Sequence, residues 1–239
     1  MKKHAILRRL HHWYREREFW GFKNKPVEQI FSDIYKNNTW GGPSGEFYSG
    51  DGTYSPNIHL YINKVVEIIN ANNIKSVLDI GCGDFAVMSQ VVDKVDVNYT
   101  GGDVVKDLID RNRQWFEGPK TKFIQLNAIE DELPKADLVM IRQVLQHLSN
   151  GQILKILPKL SKFRYVLITE HVVVGDDAVP NYDKIPGPHI RSRSSSGVYI
   201  DLPPFNMKNA KVVLETREDE TFKGKIYPAV LRTHLIENK

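Results

Sequence analysis

From residue 55 onward the apolar positions follow two different periods. Ile58, Ile62, Val65, Val66 and Ile69 recur every three or four residues, which predicts an amphipathic helix. Ser55 is placed to cap it and Pro56 to occupy its first turn. Beyond it the apolar residues gather into short continuous runs: "SVLDI" (76–80), "NYTGGDV" (98–104), "KFIQLNA" (122–128), "DLVMIRQ" (137–143) and "YVLITE" (165–170). Helical spacing returns between them in "AVMSQVVDKV" (86–95), "VKDLIDRNRQWF" (105–116) and 151–162. Strands apolar on both faces, alternating with amphipathic helices, predict a parallel sheet covered by helices on both sides. Two late runs, "KVVLETRE" (211–218) and "AVLRTHLIE" (229–237), are joined by a short connection and predict an antiparallel pair at one edge. The expected fold class is therefore α/β: a doubly wound, mostly parallel, seven-stranded sheet with an antiparallel edge pair.

Two stretches break this rhythm. Residues 1–36 read as a basic helical extension, followed by the Gly- and Ser-rich loop "NTWGGPSGEFYSGDGTYSP" (38–56), so the chain divides into an extension (1–54) and a main domain (55–239). Residues 172–209 hold five of the twelve prolines and "RSRSSSG". A loop of that length in a compact domain is functional or disordered. Its apolar and aromatic residues, Tyr182, Ile190, Tyr199, Ile200 and Phe205, predict an ordered lip over a site.

Composition narrows the setting. The 239 residues are 41% hydrophobic and 26% charged, as in a globular protein. No apolar run approaches the roughly 18 residues of a membrane span, and the N-terminus lacks the apolar core of a signal peptide. Cys82 is the sole cysteine, so no disulfide framework or thiolate metal cluster arises. The expectation is a cytoplasmic protein. Charge is uneven: residues 1–25 carry eight Lys/Arg against two Glu, a local +6 within a whole-chain +4, which leaves −2 for the rest. Such a basic arm can meet anionic lipid at a membrane surface, nucleic acid or a phosphorylated substrate. Alternatively Ile6, Leu7, Leu10, Trp13 and Tyr14 form an ordinary apolar face that packs on the body.

The candidate chemistry centres on "VLDIGCGDFA" (77–86). Strand, Gly81-x-Gly83-x-x-Ala86, then helix fits a dinucleotide turn by spacing, and Asp103 lies 22 positions after Gly81, where a carboxylate accepts ribose hydroxyls. The flanking charges argue against a phosphate. Asp79 and Asp84 border the turn and no Lys or Arg lies in it. Like charges at such range cost on the order of 1 kcal/mol or more at an effective dielectric near 20. S-adenosylmethionine has no phosphate and carries an ammonium and a sulfonium, which suit acidic flanks.

These residues resemble the class I S-adenosylmethionine-dependent methyltransferases over roughly 55–171. The resemblance implies the Rossmann-like methyltransferase fold, with Asp79, Gly81, Cys82 and Gly83 in the cofactor turn and Asp103 of "YTGGDV" on the ribose. "LNAIEDELP" is similar to the segment beside adenine, implying roles for Asn127, where an aspartate is commoner, and Ala128. "ADLVMIRQVLQHLS" resembles the fourth strand and its exit loop, with Gln143 at the cofactor. A narrower likeness, in "IYKNNTWGG", "SGDGT" and "SGVYIDLPPFN", is to small methyltransferases of surface-glycan synthesis. It implies a sugar hydroxyl as acceptor.

A hydroxyl nucleophile gains from a general base, and ligands of parallel sheets lie beyond the C-terminal strand ends. His147 and His171 qualify by location, each with the alternative of a structural loop cap. Arg191 and Arg193 are candidates to clamp an anionic acceptor, Trp40 and Tyr48 to stack on it, and Tyr199 to line its side; a plain surface or core role is the alternative for each. Asp176 and Asp177, with His171 or Asp183, have the ligand chemistry for a divalent metal, although solvated acidic loops are the commoner case and no metal is favoured. Competing readings are an RNA or small-molecule methyltransferase served by the basic arm, and a non-catalytic module that retains the cofactor fold.

Overall fold

A computed structural model of the chain describes residues 17–43, 45–222 and 224–238. The apolar face expected over Ile6 to Tyr14, and most of the basic arm, lie outside these residues. The first helices are a 3-10 turn at Arg17–Phe22 and α1 (Val27–Lys36), which buries Val27, Ile30, Phe31 and Ile34 on one face. Then come α2 (Ile58–Ala71), β1 (Ser76–Ile80), α3 (Ala86–Val92), β2 (Asn98–Asp103), α4 (Lys106–Phe116), β3 (Thr121–Gln125), β4 (Leu138–Arg142), α5 (Asn150–Ile156) and β5 (Tyr165–Val173). The last strands are β6 (Lys211–Arg217), the small hairpin β7 (Glu220–Phe222) and β8 (Lys225–Tyr227), and β9 (Ala229–Glu237).

The seven-stranded sheet has the order β3-β2-β1-β4-β5-β9-β6, with β1 to β5 parallel and β9 antiparallel to both neighbours. The predicted sheet and its antiparallel edge pair are therefore present. β5 runs three residues past its predicted end, because β9 pairs with it from Tyr165↔Glu237 to Val173↔Ala229. Helix α2 starts at Ile58 rather than at Pro56. The Ser55 hydroxyl accepts the Asn57 amide (3.2 Å), forming a turn, and donates to Glu218, so it serves the turn rather than the helix. By contrast α5 opens with the full capping box, Ser149 and Gln152 bonding reciprocally.

Successive strand residues feed two cores. Leu78, Ile80, Val139, Ile141, Val166 and Ile168 face α1 and α5; Val77, Leu138, Met140, Tyr165 and Leu167 face α2 and α3. Burial on both faces is why these strands read as continuous apolar runs rather than alternating ones. The lip packs through Val198, Ile200 and Phe205 into the first core, which accounts for its order. Among the described residues no helix is long and apolar enough to cross a membrane.

Candidate cofactor and acceptor site

A cavity of about 300 Å³ opens at the C-terminal ends of β1, β2 and β4. Its floor is the glycine turn. Gly81 and Gly83 take φ of 74° and 55°, left-handed values that favour glycine. Space demands glycine too: a Cβ on Gly81 would run into Val144, and one on Gly83 into Ser49. The Gly81 and Cys82 amides donate to the Gly102 carbonyl (2.7 and 3.1 Å), fastening the turn to β2.

Around it stand buried carboxylates. Asp103 accepts the Val105 amide (3.0 Å) on one oxygen and the Gly83 amide (3.2 Å) on the other. Asp79 accepts the Tyr99 hydroxyl (2.8 Å). Asp84 accepts the Ala86 amide (3.1 Å) at the start of α3, and its other oxygen holds the Ser49 amide (3.1 Å) and the Tyr54 hydroxyl (3.2 Å). Burial raises the Asp79 and Asp103 carboxyls to about 6. It also pushes the Cys82 thiol well above its usual range, which leaves it a small inert group in the turn. Asp51, Asp79, Asp84 and Asp103 all line the cavity, against one Arg142.

Asn127, Ala128 and Ile129 form the wall after β3. The Asn127 side chain accepts the Ile129 amide (3.0 Å) and donates to Glu28 of α1 (2.5 Å), so it shapes the wall. Gln143 lines the cavity from a left-handed backbone (φ 56°) just past β4. The opposite end is aromatic and apolar, with Phe31, Trp40, His147, Pro188 and Ile190. The Trp40 and His147 rings are 5.2 Å apart, and the Trp40 indole N–H donates to the Pro188 carbonyl (3.1 Å). His147 Nδ1 lies 3.2 Å from the Gly187 carbonyl. A carbonyl only accepts, so the proton sits on Nδ1 and Nε2 keeps its lone pair. Burial, with Lys184 nearby, lowers the imidazole to about 3.

The loop carrying His147 is held from behind. Buried Glu170, within β5 just past the point where β4 stops pairing with it, accepts the amides of Val144 (3.1 Å), Leu145 (2.8 Å) and Gln146 (3.0 Å). Sequence alone does not single out Glu170 or Arg142, although Arg142 is a charge ending buried β4 and Glu170 a carboxyl within the buried run of β5.

Other anticipated residues lie away from the cavity. His171 is buried beside the antiparallel edge, its Nε2 2.9 Å from the Glu218 carbonyl. Arg191 is buried within the lip and donates to the Leu148 carbonyl (2.7 Å), Asn150 (2.8 Å) and the Tyr182 carbonyl. Arg193 pairs with Glu220 (3.4 Å), and the Tyr199 hydroxyl donates to the Val173 carbonyl. Tyr48 stacks on Tyr54 at 5.0 Å and bonds Asp51 (2.6 Å), close to the cavity rim. Asp176 and Asp177 are exposed, and among the described residues no three His, Cys, Asp or Glu side chains gather as metal ligands.

Residues 77–163 match a family model described as a methyltransferase domain. No curated protein matches the chain. Among solved structures, magnesium protoporphyrin IX methyltransferase from Synechocystis PCC 6803, with S-adenosylhomocysteine bound, is similar at 11% identity. The match covers 89% of this chain and 100% of that one, with a TM-score of 0.56. The N-methyltransferase NodS from Bradyrhizobium japonicum WM9, also in complex with S-adenosylhomocysteine, is similar at 11% identity over 76% of this chain and 88% of that one (TM-score 0.52). TehB from Haemophilus influenzae is similar at 14% identity over 78% and 64% (TM-score 0.53). The fold of this chain is that of the Rossmann-like methyltransferases.

Proposed function

We propose that the chain is an S-adenosylmethionine-dependent methyltransferase whose acceptor is a sugar hydroxyl of a glycan or glycolipid precursor. One observation carries the donor assignment: a glycine turn ringed by buried Asp79, Asp84 and Asp103, with no cation in the turn to meet a phosphate. The donor supplies an electrophilic methyl group on a sulfonium. Asp103, fixed by two backbone amides, is set to accept ribose hydroxyls, and residues 127–129 form the wall for the adenine. Asp79 and Asp84 contribute the negative potential that a cationic ligand requires.

The acceptor end rests on Trp40 and His147. Sugar rings pack their C–H faces on aromatic planes, and Trp40 lines the wall beside His147. The donor would supply the methyl group from its sulfonium, and Nε2 of His147 would take the proton that the acceptor hydroxyl gives up and pass it to water. With its pKa lowered to about 3, His147 stays neutral at ordinary pH, and its Nε2 lone pair, which faces the Gln146 side-chain amide at 3.4 Å, is released to the acceptor hydroxyl when that amide turns away. A weak base suffices here, because the oxygen becomes strongly acidic only as it gains the methyl group. Positioning then supplies much of the catalysis.

Isothermal titration tests the donor: S-adenosylmethionine and S-adenosylhomocysteine should bind, and tighter binding of NAD would refute the assignment. Radiolabelled methyl transfer into sugar nucleotides, glycolipid extracts and RNA tests the acceptor. Label confined to RNA would overturn the sugar.

A further inference from the structure

Arg142 is the only Lys or Arg among the described residues lining the cavity, which it shares with four aspartates. Its guanidinium is held over the Tyr61 ring at 5.1 Å, and Nη2 donates to the Gly52 carbonyl (2.6 Å). Among the described residues it makes no ion pair, and its buried Nε has no hydrogen-bond partner. A guanidinium carries five donors in a planar fork that matches a carboxylate. A half-buried arginine using one of them is therefore fixed in place with capacity to spare.

The charge pattern of the wall says what would use that capacity. Four carboxylates and one guanidinium complement a ligand with more positive than negative charge that also bears one anionic group. An amino-acid end has both, its ammonium suited to the aspartates and its carboxylate to the arginine. Resting on the donor proposed above, we infer that Arg142 is the receptor for the carboxylate of the donor's amino-acid moiety, and so selects donors that retain that group. The alternative role, offsetting the charges of Asp79 and Glu170, would leave Arg142 indifferent to the ligand's carboxylate.

The test compares S-adenosylmethionine with its decarboxylated analogue, which differs by that group alone, by isothermal titration on the full chain. Wild type should bind S-adenosylmethionine about 10- to 100-fold more tightly, the range for charge-assisted hydrogen bonds. In Arg142→Met that preference should vanish, with most of the loss falling on the carboxylate-bearing ligand. Losing the Gly52 contact weakens both ligands alike and cancels in the ratio. Equal binding of the two by wild type would overturn the inference without any variant. An unchanged preference in a folded Arg142→Met would do the same, while leaving the donor assignment intact. Wild type that binds neither ligand would refute the donor assignment itself.

Discussion

Replacing Glu170 with alanine removes the acceptor for three backbone amides at once. The Val144, Leu145 and Gln146 N–H groups point into a carboxylate that is 2% exposed, at 2.8 to 3.1 Å. Each buried donor left unsatisfied costs about 1–3 kcal/mol. Water entering the vacated space can recover part of this, so the expected loss is about 3–6 kcal/mol, a large share of the stability of a typical domain. Glu170→Gln grades the effect. Its carbonyl oxygen still serves Val144 and Leu145, which share one carboxylate oxygen, while its amide meets the Gln146 N–H donor to donor. The glutamine variant should therefore lose about 1–3 kcal/mol. Equilibrium urea unfolding gives the magnitudes, and hydrogen exchange at 144–146 locates them. An alanine variant within 1 kcal/mol of wild type, with exchange at those amides unchanged, would show that Glu170 does not hold the loop.

Three other expectations concern the site. Asp103→Ala should weaken S-adenosylhomocysteine binding by about 1–3 kcal/mol in titration calorimetry, and unchanged affinity would mean that the ribose lies elsewhere. The Asp79 and Asp103 carboxyls, raised to about 6, are ionised above that pH and protonated below it. Donor affinity should be flat above pH 7 and fall through 6, by up to tenfold per pH unit for each carboxylate; affinity constant down to pH 5 would contradict this. For folding the sign is opposite: these raised groups take up protons in the ligand-free fold, and their stabilisation is lost as pH rises through about 6. His147→Ala should cut kcat about 10²- to 10⁴-fold with donor affinity unchanged. At saturating donor the wild-type rate should show no inflection near 6.5, since the imidazole titrates near 3; a clear inflection there under saturation would show an accessible histidine.

The sheet was legible because strands buried on both faces must be apolar throughout, and the glycine turn because spacing and charge there serve a single purpose. The lip was not. Arg191 and Tyr199 look like ligand contacts in a polar, proline-rich stretch, yet both are consumed by carbonyls brought to them by folding. Trp40 finds Pro188 across 148 positions of sequence, a contact that no local pattern encodes. Arg142 and Glu170 had a signal that went unused. A charged side chain in or at the end of an otherwise apolar buried strand needs either a ligand or a set of amides.

The placement of those charges also bears on how the chain finds one pairing of its strands. With both faces apolar, sliding β1, β4 or β5 by two residues would still present hydrocarbon to each layer, so hydrophobicity alone barely discriminates between alignments. What such a slide cannot tolerate is Asp79, Arg142 or Glu170 drawn between the layers, away from the Tyr99 hydroxyl, the Gly52 carbonyl and the 144–146 amides. The charges at the cavity thus act as alignment marks for the sheet, and loss of the ligand site and loss of a unique fold share the same residues.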